Sequence, residues 1–296
     1  MNKVFKVIWN HSTQTWTAVS EISHAHGKKS AVDRRKAIAA VVAVAGALMA
    51  SSAAQAGAEL GGGSATGTNA VAVGAASKAT GTASFAGGTS ANAAGVSSVA
   101  VGGSMTAAEA AQAVGNNSIA VGSKSNAQQA ADVAVGYGAT ANGTSTGANA
   151  EGTVNNAGSA MAIGTEAQAT GIVATAIGKR SQALANGAVA LGGDAQAKQG
   201  SDVAIGRGSV ANGTSASAFG PAAQATGKYA VALGVQSNAA STQAIALGRG
   251  AKAKGGEYAT ALGNDAQATA KNTLALGTEA KSTIENSVAL GNGSTT

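Results

Sequence analysis

The side chains best suited to acid–base or metal chemistry in this chain are three histidines, His11, His24 and His26, clustered near the N-terminus. Imidazoles so grouped are candidate metal ligands or general bases. Beyond them the sequence contains no His, and it has no Cys anywhere. Serines and threonines are plentiful, but no base stands near them to activate a hydroxyl. The carboxylates are scattered one at a time rather than gathered. A calcium-binding Gly-Gly-x-Gly-x-Asp frame does not recur, a Thr-x-Thr rank suited to ice is missing, and no six-residue period of the acyltransferase kind is present. The expectation is a protein that is not an enzyme, with no catalytic residue, no metal and no cofactor.

Composition limits what can position these residues. Gly occurs 43 times and Pro once among 296 residues, with 3 % aromatics and 45 % hydrophobic residues. So few aromatics cannot fill a thick core, yet the apolar content, mostly Ala and Val, exceeds that of a disordered linker. Thin, tightly stacked layers satisfy both conditions. The formal charge of +6 is local: residues 1–56 hold seven Lys and Arg against Glu21 and Asp33, and the remainder is close to neutral. No single-signed block of the kind that tracks phosphates follows, so nucleic acid is not an expected partner.

The layers are written as an internal repeat. Val71-Ala72-Val73-Gly74 returns as Val99–Gly102, Ile119–Gly122 and Val133–Gly136, then as Met161–Gly164, Thr175–Gly178, Val189–Gly192 and onward to Val288–Gly291. From Gly164 to Gly248 the 14-residue step is kept without exception. Three and five residues after the motif glycine the side chain is small, with a polar one between, as in Ala195-Gln196-Ala197. That alternation marks a second strand with one buried face. A further Gly often stands at the seventh position (Gly81, Gly171, Gly227), where a turn would use its tolerance of positive φ.

Each unit therefore reads as strand, turn, strand, turn. The expected interior sets the large motif residues, such as Val189 and Leu191, against the second strand's Ala-x-Ala. The motif Ala would then lie outside, as an apolar face open to self-association. Lys124, Glu166, Arg180, Asp194, Asp265 and Glu279 fall two residues after a motif glycine and mark a solvated turn. Some sixteen coils rising about 4.8 Å each give a rod of roughly 70–75 Å. Irregular steps place a six-residue insertion within 103–116 and one extra residue within 254–256. A degenerate copy near 147–150 would fill the 28-residue gap between Gly136 and Gly164.

The segment 1–56 reads as an export leader. Arg34, Arg35 and Lys36 form a positive segment, Ala37 to Ala50 an unbroken apolar run, and Ala54-Gln55-Ala56 a cleavage site before Gly57. The run is shorter than the roughly 20 residues needed to cross a bilayer. Residues 1–33 extend this signal peptide, 34–56 complete it, and 57–296 form the repeat domain.

Two resemblances follow. The stretch from Met1 to Asn10, with Trp16 and Val19-Ser20-Glu21, resembles the extended signal peptide of large type V secreted proteins of Gram-negative bacteria, and implies that the His cluster is discarded leader. The unit Ser-Val-Ala-Leu-Gly-x-x-Ala-x-Ala-x-Gly resembles the head repeat of YadA-like trimeric autotransporter adhesins across nearly all of residues 60–293. The resemblance implies an all-β, left-handed parallel β-roll of 14-residue coils, three chains side by side, behind a helical leader. It further implies display at the cell surface or outer membrane, with attachment to collagen, fibronectin or laminin and autoagglutination. Family phrases linked to collagen binding match Asn117-Ser118-Ile119-Ala120-Val121-Gly122 and Asn286-Ser287-Val288-Ala289-Leu290-Gly291, and Ser98 opens a partial match. Family members continue into a stalk and a membrane β-barrel, and neither is expected within this chain. A structural fibre without a specific ligand, or a truncated fragment secreted or held in the periplasm, is the alternative.

Overall fold

The computed structural model describes residues 5–10, 14–20, 57–144 and 158–296, in two units divided between Ala53 and Ala54. In the first unit, Phe5–Asn10 and Thr15–Ser20 form an antiparallel hairpin in which Trp9 stands opposite Trp16. The two rings meet edge to face, with centroids 5.2 Å apart. β-Branched and aromatic residues dominate both segments, which suits a pleated pair over a helix. The expected helical leader is thus not what its described residues form. The apolar run Ala37 to Ala50, the histidines, and Ala54 and Ala56 lie outside the described residues.

The second unit is a parallel β-solenoid. Motif strands such as Val189–Leu191 stack into a sheet of sixteen strands, and second strands such as Gln196–Ala197 into a sheet of fifteen. Register is strict: Val189 pairs with Thr175 on one side and Val203 on the other, and Ala190 with Ala176 and Ala204. At about 4.8 Å per strand the motif sheet is about 72 Å long.

Two tight turns close each coil. In one, Ala195 N–H donates to the Gly192 carbonyl at 3.2 Å; in the other, Ala188 N–H donates to Ala185 at 3.0 Å. The third residue of each turn sits in the left-handed region, as with Asp194 (φ 61°) and Ser201 (φ 57°), the geometry of a type II turn. The lone proline, Pro221, occupies the second position of such a turn, ahead of Ala222 at φ 56°. There its fixed φ is favourable and no N–H is needed. Turns also bond to turns: Asp194 N–H reaches the Lys179 carbonyl one coil back at 2.9 Å.

Glycines at two positions of the coil are required for different reasons. Motif Gly192 has φ 128°, and a Cβ there would stand 2.8 Å from the Gly206 carbonyl. Gly81, at the seventh position, is not at positive φ; a Cβ on it would run into the Gly95 carbonyl of the next coil. Close approach of stacked backbones, not left-handed geometry, requires glycine at that site.

The interior differs from the expected one. The motif alanines, Ala190 and Ala204 among them, are fully buried and face the second strand's Ala195 and Ala197. No hydrophobic residue larger than Ala is buried in the described core; its largest members are Thr273, Asp132 and Asp202. Tight turns bring the strands so close that the buried columns of Ala190 and Ala197 hold nothing larger than a methyl or hydroxymethyl group, and Thr or Asp enters only at the position just before the motif. The large motif residues therefore point outward.

Interruptions leave the stack intact. The six-residue insertion loops out and carries a single 3-10 turn at Ala107–Glu109, while Val99–Val101 still pairs with Ile119–Val121. The extra residue near 255 is absorbed between Ile245 and Thr260, which remain partners. Val133–Val135 pairs directly with Met161–Ile163 and Thr140–Ala141 with Gln168–Ala169, so no further layer separates these strands, contrary to the expected copy near 147–150. Residues 145–157 lie outside the described residues.

Candidate functional site

The outer face of the motif sheet is the largest chemical feature of the solenoid. Residues on either side of each inward Ala stack into two columns, for example Val203, Val231 and Ile245 in one and Leu191, Leu233 and Leu247 in the other. Leu233 is 46 % exposed, Leu247 45 % and Leu290 69 %. Neighbours in a column shield one another, which is why most members are half-buried. Two columns about 7 Å apart over about 72 Å form a continuous apolar strip on the order of 500–700 Å² or more, at or above the largest patch on an ordinary monomer.

The ion pairs lie at the turns, whereas Lys78, Lys252 and Lys281 stand on the second strands. Arg180 and Asp194, one coil apart, form a two-pronged pair with Nε–Oδ1 2.7 Å and Nη2–Oδ2 3.0 Å. Its hydrogen bond holds the Asp194 carboxyl below the usual range and raises the Arg180 guanidinium. Lys124 is raised by Glu109 of the insertion, 3.1 Å away. Arg249 reaches Asp265 at 3.3 Å. All are exposed, so they align neighbouring turns and add little stability.

The Asn-Ser phrases divide between solvent and core. Ser98 and Ser118 are fully buried, and their hydroxyls donate to the Gly95 and Gly115 carbonyls at 2.7 and 2.6 Å. Asn117 is exposed in a left-handed turn position. Asn286 is also exposed, with its Oδ1 accepting from Asn272 Nδ2 at 3.0 Å. Ser287 belongs to a hydroxyl cluster, 2.8 Å from Ser282 Oγ and 2.7 Å from Thr296 Oγ1. Gly57 packs inward, where a Cβ would collide with Ala65. The phrases thus offer a ligand the two asparagine amides, not the buried serines.

Two buried carboxylates were not anticipated. Asp132 and Asp202 stand directly before a motif valine, where other coils have Ala, Ser or Thr. Asp202 accepts from Gln199 N–H and from Ala216 N–H, each at 2.9 Å. In the turn before Ala216, Thr214 and Ser215 both have positive φ. Ala216 N–H then takes the carboxylate in place of the carbonyl of its own turn. Asp132 acts similarly one coil before Ala160: it accepts from Gln129, Gly143 and Ala160 N–H at 2.8, 3.2 and 2.9 Å. Each carboxylate takes one amide that a regular turn would have bonded internally, that of Ala160 or Ala216, together with the N–H of the first residue of its own turn. An Asp in a column of small residues was the available signal.

Among the described residues, no three His, Cys, Asp or Glu side chains converge on a point that could hold a metal ion, and no helix is long and apolar enough to span a membrane. The architecture supplies long stacked surfaces.

Comparison with known families agrees with this geometry. Residues 1–54 match the extended signal peptide of the type V secretion system. The YadA head domain repeat matches in overlapping stretches between residues 65 and 294. The matches skip 92–108, 140–155 and 252–254, which lie at or beside the three departures from the 14-residue step. A search of curated proteins gave no match. YadA-type heads are structural adhesin modules rather than an enzyme class, and the extended signal peptide marks the chain for export. The repeats cover most of the chain in the register its coils display, so this chain belongs to the YadA head-repeat family, as an exported cell-surface protein of adhesin type.

Proposed function

We propose that residues 57–296, released by cleavage between Ala56 and Gly57, associate side by side into a homotrimer through the outer face of the motif sheet. On the surface of a Gram-negative cell, the assembled rod attaches to extracellular matrix proteins such as collagen, fibronectin or laminin, and to like rods on other cells. No catalysis, metal or cofactor takes part. The observation that carries the reading is the strip of Val, Ile and Leu running the length of the solenoid, too continuous to be left to water. Burying about 500–700 Å² or more per chain approaches the scale of a specific protein interface. The side chains of Asn117 and Asn286 lie on exposed turns, where a ligand could reach them.

Sedimentation of purified residues 57–296 tests the assembly, and a monomer at micromolar concentration would refute it. Adhesion is tested by binding the purified head to immobilised collagen, fibronectin and laminin, alongside clumping of cells that display it. Burial of Ser98 and Ser118 favours a second reading, a structural fibre without a specific ligand. Robust clumping with no matrix binding would select it.

A further inference from the structure

A rod built from near-identical layers has a register problem. Two copies laid face to face can slide by one coil, about 4.8 Å, and present almost the same columns to one another. Accepting the side-by-side association above, something in the strip must distinguish one level from the next.

Two coils do. From Val71 to Leu290 the outward positions hold Val, Ile, Leu, Met or Thr with two exceptions. In Phe85-Ala86-Gly87 the bulk lies wholly in the first column: the Phe85 ring reaches across to within 2.9 Å of where a Gly87 Cβ would stand. In Ser217-Ala218-Phe219 the bulk lies wholly in the second, beside a hydroxymethyl group. Val203 and Ile205 flank that coil on one side, Val231 and Leu233 on the other. Phe85 and Phe219 are the only phenylalanines beyond the leader, and both face outward. Their arrangements mirror each other, eight coils apart along the stack.

We propose that the Phe85/Gly87 and Ser217/Phe219 coils are register keys that align a second copy of this chain, parallel and without offset. A one-coil slip sets Phe219 of one copy level with Ile205 or Leu233 of another, and leaves the Ser217 hollow facing a valine. One contact is overfilled and the other underfilled. An eight-coil slip brings phenylalanine level with phenylalanine, but in opposite columns. Only zero offset satisfies both keys, so mismatched registers are penalised at two separate places.

The test moves a key. A variant carrying Ser217→Val and Phe219→Leu with Val231→Ser and Leu233→Phe has the second key one coil further along. Isotope-labelled variant and unlabelled wild type are co-refolded, and mixed assemblies are counted by native mass spectrometry. Labelled and unlabelled wild type should mix at random, whereas mixed assemblies with the shifted key should fall about fivefold below the random share. Random mixing of the two would overturn the keys and leave self-association standing. Wild type that sediments as a monomer would overturn self-association itself.

Should the shifted key fail to assemble, a keyless variant (Phe85→Val, Gly87→Val, Ser217→Val, Phe219→Leu) answers the same question. The chain has no cysteine, so Leu290→Cys gives a single thiol on the last motif strand. Slipped registers uncover that end in part of the population. The keyless variant should therefore label in two phases, the wild-type background in one slow phase. Identical labelling would refute the proposal.

Discussion

Each motif strand turns one side to the inside of the coil and the other to the outside, and the two sides obey different rules. Inside, the Ala190 column admits only small side chains, because the turns fix how far apart the strands lie. Outside, the Val189 and Leu191 columns tolerate Thr, Met, Ile or Leu, because the coil alone sets no limit there. The side with larger residues is therefore not the core. In a coil this narrow, hydrophobic bulk is what an assembly can use, and smallness is what the fold demands.

That contrast can be broken from either side. The largest effect should come from placing charge on the outer columns: Leu233→Lys with Leu247→Lys should abolish association in sedimentation while each chain keeps its β-rich circular dichroism. Enlarging the inner column should do the reverse. Ala218→Leu should cost about 3 kcal/mol in chemical unfolding, since overpacking leaves no rotamer that fits. Next in size, Asp202→Ala should cost about 2 kcal/mol, chiefly by leaving the buried Ala216 amide unpaired. Ala230, which needs no such rescue because its amide bonds to Gly227 within its own turn, provides the comparison site.

Smaller effects sharpen the picture at the turns. Val173 is β-branched at φ 52° and exposed, so Val173→Gly should raise stability by about 0.5–1 kcal/mol in the same assay. Arg180→Ala should leave the unfolding midpoint almost unchanged near neutral pH. Because Arg180 depresses the Asp194 pKa, the pair favours the folded state above the usual carboxylate pKa of about 3.9. Its contribution fades as pH falls through the depressed value. Titration of Asp194 by NMR, with and without Arg180, would show this directly.

Much of the fold is legible in the 14-residue step. The period, strand–turn–strand–turn, the charges two residues after Gly192 and its equivalents, and two of the three irregular steps follow from spacing alone. Other features depend on what lies one coil away. The gap between Gly136 and Gly164 looks like two steps in sequence, yet hydrogen bonding joins Val133 to Met161 as one. Gly81 looks like a turn residue, yet the neighbouring backbone excludes its Cβ. Asp132 and Asp202 look like surface charges, yet irregular turns draw them inward.

By itself, then, the sequence determined that the chain is exported and that it stacks as a repeat, because both depend on local order: a charged and apolar leader, and alternation at fixed intervals. Which face of the motif strand is buried was decided only by tertiary structure. Period two states that two faces differ without saying which is inside. The answer depends on the distance between strands, which the turns impose, and that distance admits the methyl of Ala190 and turns Val189 and Leu191 outward.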